Sequence, residues 1–271
     1  MNTATPNQPK VHSTRPEYTL FDHLLGYVRV GIAFFTAALC CVVLSLVNLV
    51  NIRIKGRQAT NWVAIPFARL IYIIFNIGLT SHNVETLKNH KGIIVANHSS
   101  LLDIPTLAYH LPVRFLAAIE VKHRPLIGRI SKFAGVIFVT RDDLHSRNAA
   151  TSEIIRALKA QPDLPVVIFP EGRIGDGRAV GLFQRGAFWI AAKNNVKVLP
   201  CSIEYTPEEV AIWDGNGECF DNTIWPLARH SGRVHTVLTV LEPFQPTVGE
   251  DPKEVAFETR HKITQSMGFS E

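Results

Sequence analysis

The apolar residues of the chain begin with one long uninterrupted run. From Val30 to Val50 there are 21 residues without Asp, Glu, Lys, Arg or His. A helix rises about 1.5 Å per residue, so a helix of this length matches the ~30 Å hydrocarbon thickness of a bilayer. The run is too long for the apolar core of a signal peptide, and no A-x-A cleavage pattern follows it. The sequence therefore predicts a retained membrane helix.

A second apolar stretch, from Trp62 to Leu79, is interrupted by Pro66 and Arg69. Because these two residues are costly at the centre of a bilayer, the stretch is typical of an interfacial or re-entrant helix. Basic residues flank the first run on both sides: Lys10, Arg15 and Arg29 before it, Arg53, Lys55 and Arg57 after it. A hairpin dipping into one leaflet explains this symmetry, since both flanks stay cytoplasmic. We predict a mobile polar tail over residues 1–20 and a membrane-anchoring helical hairpin over 21–80.

From Ser81 onward, short apolar runs alternate with amphipathic stretches. Strands separated by helical crossovers predict an α/β domain over residues 81–271, with a largely parallel or mixed sheet flanked by helices. The predicted strands are Gly92–Ala96, Val136–Val139, Val166–Phe169, Val196–Ile203 and Val234–Leu241. The predicted helices are Leu101–His110, Arg147–Ala160 and Gly186–Asn194.

Composition narrows the classes of protein. Apolar residues make up 46% of the chain and charged residues 19%, which excludes a disordered protein. The net charge of +5 suits an anionic membrane surface or phosphate-bearing substrates, and beside the apolar run it does not call for a nucleic-acid partner. Four cysteines without a C-x-x-C spacing argue against a zinc site or a disulfide framework.

His98 and Asp103 directly follow the first strand of the predicted domain. Five residues turn a regular helix by about 500°, so the two side chains would diverge if both lay on one helix. If His98 instead lies on the turn before a helix capped by Ser99 or Ser100, Asp103 can accept a hydrogen bond from one imidazole nitrogen and leave the other free as a base. Spacing alone favours the simpler arrangement, a helix-cap histidine and a first-turn aspartate stabilised by the helix dipole.

Three further segments lie at or near strand ends. The segment Phe169–Arg173 follows a strand at the edge where open α/β sheets bind ligands, although a Pro-Gly turn explains it equally. The segment Gly135–Arg141 ends in a guanidinium suited to phosphate, although surface arginines are common there. In Val198–Ile203, Pro200 interrupts an apolar strand and predicts an edge or a bulge.

In this order, the four segments resemble the blocks of the glycerolipid acyltransferase family: N-H-x-x-x-x-D, G-x-x-F-I-x-R, F-P-E-G and a V-P-x-x-I-like strand. The resemblance covers about residues 85–205. The matching residues are Asn97, His98 and Asp103; Gly135, Phe138 and Arg141; Phe169, Pro170, Glu171 and Gly172; and Pro200. The main departure is Arg173-Ile174 where the family usually has Thr-Arg.

The resemblance implies the family's fold and the transfer of a fatty acyl group from acyl-CoA or acyl-carrier protein to a lysolipid hydroxyl. The expected acceptor is 1-acyl-glycerol-3-phosphate and the expected product phosphatidic acid. His98 is then the general base with Asp103 as its partner, and backbone N–H groups near His98 are expected to stabilise the oxyanion. Arg141 and Arg173 are expected to bind the acceptor phosphate. Glu171 and Gly172 are expected to shape the acceptor pocket.

No metal or resident cofactor is expected, because the acyl thioester is a co-substrate. With the predicted hairpin, the protein is expected at the cell inner membrane, with the catalytic domain facing the cytoplasm. Two alternatives stay open. One is a same-fold acyltransferase for another lysolipid such as a lyso-ornithine lipid, suggested by the change at Arg173. The other is a catalytically silent lipid-binding membrane protein, which the retained pair of His98 and Asp103 argues against.

Overall fold

The computed structural model describes residues 17–50, 53–54, 57–124, 126–213 and 219–269. Within these ranges the strands are β1 (Arg53–Ile54), β2 (Arg57–Gln58), β3 (Ile77–His82), β4 (Gly92–Ala96), β5 (Arg114–Ala118), β6 (Ile137–Val139), β7 (Val166–Ile168), β8 (Lys197–Thr206) and β9 (Val234–Val240). The helices are α1 (Leu20–Val50), α2 (Ala59–Ile74), α3 (Val84–Asn89), α4 (Asp103–Ala108), α5 (Ile119–Lys122), α6 (Ile127–Phe133), α7 (Leu144–Ala160), α8 (Gly186–Asn194), α9 (Glu208–Ala211), α10 (Cys219–Arg229) and α11 (Pro252–Ser266).

Seven of the described strands form one mixed sheet, in the order β3-β9-β8-β4-β7-β5-β6. The strands β8, β4, β7, β5 and β6 run parallel to one another. The direction reverses once, between β8 and β9, and β3 is parallel to β9. The predicted mixed α/β sheet flanked by helices is confirmed.

Two apolar cores lie on opposite faces of this sheet. Alternate residues of β4 point to opposite faces, so Ile94 and Ala96 belong to one core while Ile93 and Val95 belong to the other. Both faces of β4 are covered, and all five of its residues are buried. This explains why a central parallel strand shows a continuous apolar run rather than alternation.

The helix α1 starts ten residues earlier than the apolar run that predicted it, at Leu20. Among the described residues it is the one helix long and apolar enough to cross a membrane. It also packs along the domain, against α10, α2 and α6. Near its start, the Arg29 guanidinium donates hydrogen bonds to the carbonyls of Ala228 (3.3 Å) and His230 (2.6 Å). Near its end, Cys41 and Leu44 are buried.

The predicted boundary between a hairpin over 21–80 and a domain over 81–271 does not match the structure. The stretch Trp62–Leu79 divides into α2 and the start of β3, which lies in the main sheet. On α2, Ala68 and Tyr72 are buried in the core. The apolar residues of this stretch therefore belong partly to the interior of the domain, which hydrophobicity alone does not distinguish from a membrane-facing surface.

The predicted tail over residues 1–20 falls mostly on residues 1–16, which lie outside the described residues. Its described end is packed against α10 rather than free in solution. The Tyr18 hydroxyl donates to the carbonyl of Pro226 (3.3 Å), and the Arg229 guanidinium lies 4.1 Å from the centre of the Tyr18 ring. The mobile tail therefore cannot extend to residue 20.

Pro200 lies in a central strand and not at an edge, because β8 pairs with both β9 and β4. The alternative prediction of a bulge fits better. Cys201 pairs with Val240, whereas three residues earlier Val198 pairs with Phe244, four residues further along the partner. The antiparallel register thus shifts by one residue around Pro200, where a missing N–H is tolerated.

Candidate active site

The site is built on the turn that follows β4. The Asn97 side chain pairs with the backbone of Ile203 through both of its amide atoms: Nδ2 donates to the carbonyl (2.9 Å), and Oδ1 accepts from the N–H (2.8 Å). This side chain extends the pairing of β4 with β8 by one step while the main chain leaves the sheet. His98 therefore starts its turn from a fixed point at the carboxyl end of the parallel strands.

His98 and Asp103 are in direct contact, as the turn-before-helix arrangement predicts. The distance from His98 Nδ1 to Asp103 Oδ2 is 2.7 Å, and the Asp103 side chain is fully buried. The same carboxylate also accepts backbone N–H groups, so it acts as an ionised acceptor and Nδ1 of His98 carries the proton. Nε2 is left with its lone pair, and the imidazole keeps 12% of its surface exposed.

Leu102 occupies the N-cap position of α4 without a side-chain cap, but in the turn before the helix Ser100 Oγ accepts the N–H of Leu102 (3.1 Å). Asp103 Oδ2 accepts the N–H groups of Ser99 and Ser100, each at 3.0 Å. The Ser100 hydroxyl also donates to the carbonyl of Ala211 (2.5 Å). These amides were expected to stabilise an oxyanion, but they already donate to a carboxylate.

Phe169 and Pro170, from the third motif, fix the imidazole and a neighbouring loop. The Phe169 ring stacks on the His98 ring with 4.0 Å between centroids and 11° between planes. The Pro170 carbonyl accepts the N–H of Gln184 (2.8 Å). The stacked ring restrains rotation of the imidazole, which keeps Nε2 in one direction.

Glu171 joins the turn after β7 to both sides of the site. Its Oε1 accepts the backbone N–H of His98 (2.7 Å), and its Oε2 accepts that of Gly181 (2.8 Å). Burial raises the pKa of this carboxyl, and the two N–H donors act in the opposite direction. Gly172 completes the turn with a φ of +73° and donates its N–H to the carbonyl of Phe169 (3.0 Å). Glu171 thus lines the cavity beside His98 as a structural tie between two segments.

Arg141 and Arg173, predicted to bind an acceptor phosphate, do not line the cavity that contains His98. Both side chains are exposed, and within the described part of the chain neither forms an ion pair. Arg141 follows β6, three strand positions from β4, which is about 14 Å at ~4.8 Å per strand. Of the other residues in its motif, Gly135 adopts a φ of +69° before β6 and Phe138 is half-buried within it.

Several residues of the site carry no signal in the sequence. Tyr205 donates its hydroxyl to Asp103 Oδ1 at 2.6 Å. Met267 and Phe269, after α11, line the cavity from the far end of the chain. Arg260 on α11 donates through Nε to the carbonyls of Val180 (3.0 Å) and Gly181 (3.1 Å), which holds the loop that Glu171 also binds. Among the described residues, no three His, Cys, Asp or Glu side chains are grouped as metal ligands.

Comparison with known proteins finds relatives for the part of the chain that carries these residues. The acyltransferase family matches residues 78–204. The chain is 31% identical over 177 residues to a lyso-ornithine lipid O-acyltransferase of Pseudomonas aeruginosa, covering 64% of this chain and 66% of the relative. It is 28% identical over 154 residues to a 1-acyl-sn-glycerol-3-phosphate acyltransferase of Neisseria meningitidis, covering 56% and 58%. The chain thus spans less than two thirds of the length of either relative.

The fold has a solved counterpart. The crystal structure of the 1-acyl-sn-glycerophosphate acyltransferase PlsC from Thermotoga maritima is similar with a TM-score of 0.68. The similarity covers 93% of this chain and 98% of that one at 19% identity. The family match, the two relatives and the shared fold agree with the motif residues that surround His98 and Asp103. Over residues 78–204 the chain resembles the acyltransferase family, and it shares the fold of the Thermotoga enzyme.

Proposed function

We propose that the protein transfers a fatty acyl group from acyl-CoA or acyl-carrier protein to the hydroxyl of 1-acyl-glycerol-3-phosphate, forming phosphatidic acid. The observation that carries this proposal is the 2.7 Å contact between His98 Nδ1 and Asp103, which leaves Nε2 as a base beside a cavity. A hydroxyl must lose its proton to attack a thioester, and a neutral imidazole performs this step near pH 7.

The reaction needs no nucleophile from the protein. The acceptor hydroxyl oxygen bonds to the thioester carbonyl carbon while its proton passes to His98 Nε2, and Asp103 stabilises the imidazolium. When the tetrahedral intermediate collapses, the carbon–sulfur bond breaks and the imidazolium returns the proton to the leaving thiolate. The products are an ester and a free thiol, and the residues named here carry each proton transfer of the proposed reaction.

The exposed face of α1 supports a membrane location. Large apolar side chains line this face, and the most exposed of them include Leu20, Phe35 and Leu49. The opposite face packs on the domain from Gly26 and Arg29 to Leu44. A helix held along a domain over this length cannot cross a bilayer by itself, so we place α1 in one leaflet of the inner membrane with the site facing the cytoplasm.

The test is a transfer assay with purified protein in phospholipid vesicles. We expect wild-type protein, acyl-CoA or acyl-carrier protein, and 1-acyl-glycerol-3-phosphate to give phosphatidic acid by mass spectrometry. The matched control, His98→Gln, keeps a polar side chain of similar size and should lose 10²–10⁴-fold in rate, on the order expected for a missing general base. Equal rates for the two proteins would contradict the mechanism.

The alternative candidate for the acceptor is a lyso-ornithine lipid. The 31% identity to the Pseudomonas enzyme and the unusual Arg173 favour it, because an exposed arginine pairs with a carboxylate as well as with a phosphate. Offering both lysolipids at equal concentration in one assay distinguishes the two. Product from the ornithine lipid alone would replace our proposed acceptor while leaving the acyl-transfer chemistry unchanged.

A further inference from the structure

We propose that Tyr205 is a positioning residue that holds the Asp103 carboxylate in the orientation needed by His98. This inference rests on the proposed role of His98 as the base. Tyr205 lies near the end of β8, and its hydroxyl donates to Asp103 Oδ1 over 2.6 Å. No motif that carries the family resemblance includes this tyrosine.

The hydrogen bonds of Asp103 divide unequally between its two oxygens. Oδ2 accepts from His98 Nδ1 and from the N–H groups of Ser99 and Ser100. Oδ1 accepts from the Tyr205 hydroxyl, which is its one donor among the described residues. Because the carboxylate is fully buried, water cannot replace a donor that is lost.

The Tyr205 hydroxyl is held as a donor by its surroundings. The side chain is 3% exposed, and burial together with the nearby Asp103 raises its pKa well above the ordinary value. Thr106 Oγ1 lies 3.5 Å from the tyrosine oxygen but donates its own proton to the carbonyl of Leu102 at 2.6 Å. The Tyr205 proton goes to Asp103 because the carboxylate oxygen is charged and lies 2.6 Å away, against 3.5 Å for the threonine oxygen.

Tyr72 offers a matched control. It is also a tyrosine 3% exposed, and its hydroxyl lies 2.5 Å from Thr106 Oγ1 in the same buried cluster. Its hydroxyl pairs with Thr106 and forms no hydrogen bond with Asp103. Tyr72→Phe and Tyr205→Phe thus each remove one buried hydroxyl, but only the second removes a donor from the carboxylate.

The consequence for the reaction is a change in kcat without a change in binding. With no donor on Oδ1, that oxygen is buried and unsatisfied, and only the three donors on Oδ2 resist rotation of the carboxylate about its Cβ–Cγ bond. The imidazole then has a less firmly held partner. We expect Tyr205→Phe to lower kcat about ten- to a hundredfold, the range for a hydrogen bond to a charged group, with unchanged KM for both substrates. Tyr72→Phe should keep the wild-type kcat, although it should lower the thermal stability by about as much as Tyr205→Phe does.

Two measurements decide the matter. In an Asp103→Asn background, adding Tyr205→Phe should cause no further loss of kcat, because Tyr205 acts through the carboxylate. A full additional loss there, or a wild-type kcat for Tyr205→Phe alone, would overturn the proposal.

The second measurement needs no acceptor. In 15N-histidine-labelled protein, the Nδ1–H resonance that disappears in His98→Gln should move in Tyr205→Phe and stay in place in Tyr72→Phe. An unmoved resonance in Tyr205→Phe would overturn the positioning role. Failure of wild-type protein to acylate any lysolipid would count against the proposed function instead, so the two failures are distinguishable.

Discussion

Two carboxylates accept hydrogen bonds from the turn after β4, the buried Asp103 and the half-buried Glu171. Asp103 accepts the N–H groups of Ser99 and Ser100, and Glu171 accepts that of His98. Three successive N–H groups of one turn therefore point at negative charge. This arrangement fixes the backbone of His98 through main-chain contacts, in addition to the hydrogen bond that fixes its ring.

Glu171→Gln tests the contribution of the second carboxylate. A glutamine has one acceptor oxygen, so its NH₂ group would face either the His98 or the Gly181 N–H, donor against donor. We expect the free energy of unfolding to fall by about 1–3 kcal/mol and kcat to fall with it. Glu120→Gln, at an exposed glutamate, is the control and should change neither quantity in denaturation and transfer assays.

Arg141→Ala and Arg173→Ala test recognition of the acceptor. Neither side chain lines the cavity, so this role requires the acceptor phosphate to extend out of the cavity to them. A charge-assisted contact to phosphate contributes about 1.5–3 kcal/mol, so on that arrangement each change should raise the acceptor KM roughly ten- to a hundredfold and leave the thioester KM unchanged. Arg156→Ala, at an exposed arginine of α7, should alter neither constant. If both test variants keep the wild-type acceptor KM, phosphate recognition lies with other residues.

Spacing alone made the contact between His98 and Asp103 possible, since it spans five positions after a strand, but favoured a helix-cap histidine and a first-turn aspartate. The family resemblance was needed to predict that contact, and it also pointed to Glu171, which lies 73 positions from His98. The contact between Tyr205 and Asp103 spans 102 positions and depends on the order of β8 and β4 in the sheet. Met267 and Phe269 approach the site through the docking of α11, which no short motif encodes.

At the scale of elements, α1 has two different faces within one apolar sequence. The face toward the domain carries Gly26, Arg29, Cys41 and Leu44, and the outward face carries large exposed apolar side chains. Deleting residues 1–80 would be a poor test of membrane binding, because it would also remove α2 and most of β3. Substitutions on the outward face leave both of those elements in place.

We expect the double variant Phe35→Glu, Leu46→Glu to move the protein from the membrane pellet to the soluble fraction. The two side chains are 71% and 59% exposed, so charges there disturb little in the fold. Each loses about 1.5–3 kcal/mol of apolar burial in lipid, which together lowers partitioning at least about a hundredfold. Val248→Glu, Phe257→Glu changes two exposed apolar residues elsewhere and should stay in the pellet. Retention of both double variants would contradict the role of α1.

The burial of an element decides whether the sequence predicts it. The strands β4, β7, β8 and β9 are runs rich in Val, Ile and Leu between breaks, and their predicted positions agree with the structure to within a few residues. The strand β3 was not predicted, because its first residues continue the apolar stretch that forms α2. The strand β5, from Arg114 to Ala118, is mostly half-buried and begins with a charge, so it lacks the same signal.

At the scale of the whole molecule, one histidine far from the site links stability to pH. His90 precedes β4 at the opposite end of the sheet, and its Nε2–H donates to the carbonyl of Ile93 (3.1 Å). Burial, with a smaller effect of Lys197, lowers the pKa of His90 from 6.5 to about 4. The folded protein therefore resists binding a proton that the unfolded chain accepts.

The sign of the effect follows from linkage. The stabilising contribution is complete above pH 6.5 and is lost as the pH falls from 6.5 toward 4, by at most about 3 kcal/mol. We expect thermal unfolding measured over this range to show a falling Tm in wild type and a flatter curve in His90→Gln. The exposed His145→Gln variant should keep the wild-type slope. Equal slopes for wild type and His90→Gln would show that other groups govern the acid response.

The pairing of β3 with β9 has a consequence for synthesis of the chain on the ribosome. Ile77 of the edge strand β3 pairs with Val234 of β9, which the ribosome makes more than 150 residues later. During that interval the backbone N–H and C=O groups of β3 are unpaired and can form hydrogen bonds with other nascent chains. With α1 in the membrane as proposed, α1 and α2, already synthesised, would hold this strand near the bilayer surface and away from chains in the cytosol. Early binding of α1 to lipid would then let the chain complete its sheet without aggregation.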